Sequence, residues 1–181
     1  MLLKGRGIEK NKEEAAKFFK KAADQGDIPS MKKISLMYDT GDGVSVDHPL
    51  AAYYFKLAAD KGDVESMYEY GLKCFKGEGV KLNHKEAYRY FEMGAAHGHL
   101  DSFFSCAQVL DVGQDFKTDK KEAALIYKQA AENGHIEAMF EYANKLYKGE
   151  GVQQKKKDAA IYYRKAADNG HKESMIKYAN M

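Results

Sequence analysis

The sequence predicts an all-α fold, an array of about five stacked helix-turn-helix repeats, and three observations carry that prediction. Gly26, Gly62, Gly98, Gly134 and Gly170 follow one another at a constant interval of 36 residues, each closing a stretch of small residues such as Ala58-Ala59-Asp60-Lys61-Gly62. A second glycine set at Gly41, Gly77, Gly113 and Gly149 keeps the same interval, and apolar residues between the two sets recur at spacings of three and four. A fixed period of this length marks supersecondary units that bury their faces against one another.

Each element follows from local chemistry. Met1 to Gly5 is in register with Met37 to Gly41, so the chain is expected to begin in the last turn of a helix. Gly5-Arg6-Gly7-Ile8 then matches Gly41-Asp42-Gly43-Val44, Gly77-Glu78-Gly79-Val80 and Gly149-Glu150-Gly151-Val152. The first glycine closes a helix in the left-handed conformation, the second permits a sharp turn, and the nonpolar residue anchors the loop. Gly113-Gln114-Asp115-Phe116 lacks the second glycine. Asn11, Asp47, Asn83 and Asp119 next supply N-caps, and Glu14, Glu86 and Glu122 three residues later complete a capping-box pattern. Pro49 falls in a first turn, where its missing amide proton costs little. Lys155 replaces the cap in the last copy, so that helix is expected to start less crisply.

The helix that follows buries Ala15, Phe18, Phe19, Ala22 and Ala23 and their copies, with Phe19, Phe55, Phe91, Tyr127 and Tyr163 forming a column of rings. After the closing glycine, Asp27, Asp63, His99, His135 and His171 stand where the N-cap of the other helix belongs. That helix runs from about residue 30 to 40 and its copies, and buries Met31, Ile34, Ser35 and Tyr38 or their equivalents. The repeats therefore occupy residues 27–62, 63–98, 99–134 and 135–170, with partial units at 1–26 and 171–181. The whole of 1–181 reads as one array, expected to be a piece of a longer protein.

Composition narrows the function. Twenty-nine Lys and Arg stand against 27 Asp and Glu, a formal charge of +2, with the signs mixed along the chain. That leaves no basic field of the kind that holds a nucleic-acid backbone, and Lys155-Lys156-Lys157 beside Asp158 reads as a solvated helix start. No apolar run reaches the roughly 18 residues of a membrane span. Cys74 and Cys106 occupy different repeat positions, so they read as free thiols of a reducing compartment. A cytoplasmic location is favoured on that ground, with an ER-lumenal or secreted one open if a leader is missing.

Glu137-Ala138-Met139-Phe140-Glu141-Tyr142-Ala143, Gly149-Glu150-Gly151-Val152 and Ala166-Ala167-Asp168-Asn169-Gly170 together resemble the Sel1-like repeat, and the resemblance covers essentially all of the chain. It implies a right-handed α/α superhelix of antiparallel helix pairs similar to tetratricopeptide arrays. It also implies an adaptor, since members serve membrane-protein quality control, signalling and bacterial contact with host cells. The third unit departs most, at Asp111-Val112-Gly113-Gln114-Asp115-Phe116. Cysteine-rich relatives have been discussed as β-lactam-hydrolysing proteins, but this chain lacks their periodic cysteines.

No catalytic residue, cofactor site or metal site is expected. His99, His135 and His171 share one repeat position and are spaced by a unit each, as are His48 and His84, so neither set converges on one ion. The glycine pairs follow helices and lack a third glycine, unlike a nucleotide fingerprint. The candidate partner-binding stripe lies on the first helix of each repeat, opposite its core: Lys33 and Leu36, then Glu69, Leu72 and Lys73, then Ser105 and Gln108, then Glu141, Asn144 and Lys145. On a concave face it suits a protein or peptide, by apolar contact at one end and side-chain amides at the other. The expected function is a non-enzymatic protein-interaction scaffold, with a helical-repeat RNA binder as the alternative and a β-lactamase-like enzyme as a second.

Overall fold

The computed structural model describes residues 11–113 and 116–181. The expected helix end at residues 1–5, the turn Gly5-Arg6-Gly7-Ile8 and the altered turn residues Gln114 and Asp115 lie outside the described residues. Those described form helices and no strand. The helices are α1 (Lys12–Asp24), α2 (Ile28–Thr40), α3 (His48–Asp60), α4 (Val64–Lys76), α5 (His84–Ala96), α6 (Leu100–Val112), α7 (Lys120–Glu132), α8 (Ile136–Lys148), α9 (Lys156–Asp168) and α10 (Lys172–Ala179). The chain divides into two compact units, Met1–Gly94 and Ala95–Met181.

In the first unit α2 packs on α1 and α3, and α4 on α3. Ala16, Ala23, Met31, Ile34, Met37, Tyr54 and Ala58 form one buried cluster there. The small residues set the helix spacing: a Cβ at Gly71 would lie 2.5 Å from the Phe91 ring, so glycine is the side chain that fits beneath it. In the second unit α6 packs on α7, α7 on α8, and α9 on α8 and α10, around Cys106, Leu110, Tyr127, Leu146 and the alanines of α7. Phe18 departs from the expected core stripe. It is 58% exposed, although Tyr54 and Tyr90 at the same repeat position are buried. Those tyrosines reach back to the preceding repeat, donating to Asp24 (2.5 Å) and Asp60 (2.6 Å).

The N-cap side chains act as expected. Asn11, Asp47, Asn83 and Asp119 accept from the amides of Glu14, Leu50, Glu86 and Glu122, and Lys155 makes no side-chain cap bond. The reciprocal half of the capping box is replaced. The amides of Asp47, Asn83, Asp119 and Lys155 donate instead to the carbonyls of Tyr38, Cys74, Leu110 and Leu146 at the end of the preceding helix. One bond thereby satisfies an orphan donor and an orphan acceptor together, which leaves Glu86 and Glu122 free for other work.

The second glycine of each Gly-x-Gly pair also has a sharper role than turning the chain. Gly79 (φ +74°) lies against the backbone of His48 and Pro49, and Gly151 (φ +73°) against Lys120 and Lys121. In both cases an added Cβ would collide with a carbonyl of the first turn of the preceding repeat's second helix. The loop thus seats backbone on backbone, which a side chain would prevent.

Candidate partner-binding face

The first helices of the repeats, α2 and α4 in the first unit and α6 and α8 in the second, carry the stripe. Two kinds of contact fasten them. Near their C-termini a lysine of one repeat reaches an aspartate of the one before. Lys73 Nζ lies 2.7 Å from Asp39 and 3.4 Å from Glu78, and Lys145 Nζ lies 2.6 Å from Asp111 and 3.1 Å from Glu150. Near their N-termini the cap of one helix meets a side chain from the preceding one. Lys32 pairs with Asp63, Phe104 stacks on His135 at 4.4 Å between ring centres, and Phe140 packs on His171 at 4.6 Å.

The histidines at cap positions are caps. His99, His135 and His171 accept through Nδ1 from the amides of Ser102, Ala138 and Ser174. His135 Nε2 lies 3.1 Å from Asp101, so that nitrogen carries the proton and Nδ1 is free to accept. In these three contacts the cap matches its neighbour, aspartate opposite a lysine and histidine opposite phenylalanine.

The buried lysines correct the stripe. Lys73 and Lys145 are 5% and 4% exposed and do not present to a partner, because an inward-turned ammonium meets two carboxylates there. Ser105 is buried as well: its side chain is too short to emerge where Lys33, Glu69 and Glu141 reach past the helix surface. Leu36 is 46% exposed, while Lys33, Glu69, Leu72, Gln108, Glu141 and Asn144 are half-buried. Asn144 is committed within the repeat, accepting from the Tyr163 hydroxyl at 2.7 Å and donating to Glu141 at 3.3 Å.

Electrostatics follow these partners. Burial works against the Lys145 ammonium, but Asp111 and Glu150 outweigh it and hold its pKa above the ordinary lysine value. The bond from Lys145 holds Glu150 below the usual carboxylate range. Burial pushes the Glu69 carboxyl up, against the pull of Lys73.

His48 converges with other groups after all, though not with the other histidine at its repeat position. Its Nδ1 lies 3.0 Å from Asp39 and 3.5 Å from Glu78, so three metal-type ligand atoms come within 4.8 Å of one another. The Lys73 ammonium already neutralises both carboxylates from beneath. In the second unit the residue at the His48 position is Lys120, so the equivalent group has no third ligand.

A family model described as the Sel1 repeat matches residues 1–27, 28–63, 64–99, 106–135 and 136–171, which is most of the chain. The chain belongs to the Sel1 repeat family. Its fold is accordingly the α/α solenoid of that family, a helical repeat generally associated with protein–protein interaction. A Sel1 repeat protein from Oxalobacter formigenes is similar at 29% identity and a TM-score of 0.85, over 98% of this chain and 70% of that one. A protective antigen of uropathogenic Escherichia coli displaying an SLR fold matches at 24% identity and a TM-score of 0.87 over 98% of this chain. The chain spans 38% of that antigen, and the likeness shows the fold. Cysteine-rich protein B of Helicobacter pylori, at 19% identity and a TM-score of 0.52 over 64% of this chain and 94% of that one, likewise shows fold alone. No curated protein matches. In this Sel1 repeat chain Cys74 and Cys106 are buried and neither is in a disulfide among the described residues, and no described helix is long and apolar enough to cross a membrane.

Sequence reasoning missed the buried lysines. The signal was present as an alternation: Met37, Lys73, Val109 and Lys145 at one repeat position, and Asp39, Phe75, Asp111 and Tyr147 at another. Each lysine follows an aspartate one unit earlier.

Proposed function

We propose that this Sel1 repeat chain is a non-enzymatic scaffold, an adaptor that binds a protein or peptide on the face built by the first helix of each repeat. The observation that carries this reading is the division of labour on that face. Lys73 and Lys145 are consumed in fastening repeats and Asn144 in bonds within its own repeat, and what remains open between them is a graded set: Leu36 and Leu72 in the first unit, Gln108 and Glu141 in the second. Side chains fixed on several rigid helices lose little entropy when a partner docks, so affinity goes to the contacts made. The mixed charge weighs against an RNA-reading array, which needs a basic groove. The convergent group Asp39, His48 and Glu78 weighs little toward an enzyme, because Lys73 occupies its carboxylates.

A phage-displayed peptide library selected on the intact chain tests the reading. Enriched peptides should bind in solution and lose affinity to a variant carrying Leu36→Ala, Leu72→Ala and Gln108→Ala that retains its helical circular dichroism. Failure to enrich any peptide, or salt-sensitive retention of an RNA pool in its place, would overturn it.

A further inference from the structure

Two ion bridges frame a patch on the first unit. Lys32 on α2 reaches Asp63 and Glu65 at the start of α4, and Lys73 on α4 reaches back to Asp39 on α2. Residues 32, 36 and 39 follow one side of α2 at spacings of four and three, and residues 65, 69 and 72–73 follow the side of α4 that faces the same way. Leu36, Glu69 and Leu72 therefore lie between the bridges. Leu36 is 46% exposed, a large apolar side chain open to a partner.

Glu69 is the unsatisfied member. It is half-buried, and among the described residues it forms no ion pair and accepts no hydrogen bond. Of the ammonium groups around it, two are engaged elsewhere and the third acts on it without an ion pair. Lys73 is held by Asp39 and Glu78, Lys32 by Asp63 and Glu65, and Lys76 is exposed on the last turn. Burial pushes the Glu69 carboxyl up, Glu65 and Asp39 add to that push, and Lys73 and Lys76 pull against it. Its oxygens keep some access to water, since the buried side-chain atom left without a partner among the described residues is Ser66 Oγ, but a half-buried carboxylate with no donor of its own is incompletely solvated, and a cation delivered by a ligand offsets that cost.

The second unit meets the same demand internally. There the Leu72 position is Asn144 and the Phe91 position is Tyr163. Asn144 donates to Glu141 and accepts from Tyr163, so the carboxylate equivalent to Glu69 has its donor within the chain. Leu72 and Phe91 offer no such donor. The first unit has exchanged an internal amide for an apolar surface beside an unanswered negative charge.

We propose that the face of α2 and α4 between these bridges docks a peptide segment in which a basic side chain stands beside an apolar one. The cation pairs with Glu69, and the apolar side chain lies over Leu36 and Leu72. This rests on the scaffold reading above and gives it a ligand chemistry.

The test selects a phage-displayed random dodecapeptide library on the intact chain and measures synthetic versions of the enriched peptides by fluorescence polarisation. Enriched sequences should carry Arg or Lys near Leu, Ile, Met or Phe. Glu69→Gln should weaken them by at least about fivefold, the mark of an interface residue that matters. Leu72→Asn, which installs the second unit's solution, should weaken them comparably with circular dichroism unchanged; if that variant misfolds, Glu69→Gln decides alone. Glu69→Lys should shift the enriched set toward acidic peptides. Enriched peptides that lack a basic residue, or that bind wild type and Glu69→Gln equally, overturn this inference and leave the scaffold reading standing. No enrichment of any peptide removes both.

Discussion

The Asp39–Lys73 bridge can be dissected with the chain's own alternatives as a guide. Lys73 has a side chain 6% exposed at 2.7 Å from Asp39, which is itself 16% exposed, and Glu78 at 3.4 Å is 41% exposed. Asp39→Ala leaves a buried ammonium with only Glu78 to hold it. Breaking a buried pair from one side costs about 3–5 kcal/mol, and the surviving Glu78 contact reduces this to about 2–3 kcal/mol. Lys73→Met places at that position the residue found at Met37, and leaves Asp39 with His48 at 3.0 Å while Glu78 rehydrates. About 1–2 kcal/mol is expected, since Asp39 retains both a partner and some water. The double variant removes both charges and should cost about 1 kcal/mol or less, giving a coupling of about 2–4 kcal/mol. For a chain of this size about 2–4 °C of melting temperature accompanies each kcal/mol, so Asp39→Ala should melt about 4–12 °C lower and the double variant should recover most of that loss. Urea denaturation of the four proteins gives the cycle directly. Strict additivity, with the double variant as unstable as the sum of the singles, would refute the claim that this buried pair fastens the repeats.

Glycine substitution should separate conformation from contact: Gly62 (φ +94°) has nothing within 4 Å of an added Cβ, so Gly62→Ala should cost about 1–2 kcal/mol from backbone strain alone. Gly79→Ala adds a collision with the His48 carbonyl, so its loss should exceed that of Gly62→Ala by about 1–3 kcal/mol, and equal melting temperatures would count against the backbone seat. His135→Ala removes the acceptor for the Ala138 amide and should lower stability by about 1 kcal/mol in denaturant titration, with His135→Asn restoring most of it. Although burial opposes it, bonds from Lys56 and Tyr90 hold the Asp60 carboxyl below its ordinary range. The stability this confers is whole above the unfolded carboxylate value of about 3.9 and is lost as pH falls through the lower folded value. Below about pH 4, therefore, wild type should lose melting temperature more steeply than Asp60→Asn, and parallel curves would contradict that linkage.

Much of the fold was legible because it is written in short-range chemistry. A cap, a left-handed glycine and a three-four apolar spacing each act within one turn of helix, so Asn83, Gly77 and Met67 could be assigned from their neighbours alone. The face was less legible because its groups act across repeats. Whether Lys73 points to solvent or inward depends on Asp39, 34 residues earlier, and helical geometry alone put it among exposed positions. The capping box failed for a similar reason: the Asn83 amide found the Cys74 carbonyl on the preceding helix before a side chain of its own helix could reach it. Phe18 was misread because the α-helical pattern records which residues are apolar, not what covers them.

The repeats are not equivalent, and their differences come in matched sets. Lysine at one position goes with aspartate one unit earlier, and leucine at the asparagine position goes with phenylalanine where the asparagine copy has tyrosine. Such pairs keep the partners matched while the chemistry of the position changes, which is how an array can vary its surface without loosening its stack. Glu69 is the exception that this bookkeeping exposes. Its equivalent Glu141 has an internal donor and Glu69 has none, so its half-buried carboxylate is answered by water or by a group from outside the chain. If Leu72→Asn raises the melting temperature by supplying the missing donor and at the same time abolishes peptide binding, stability and recognition are exchanged at one position. Were the substitution instead to leave the melting temperature and the peptide affinity both untouched, Glu69 would be an ordinary solvated carboxylate and the reasoning from its burial would fail.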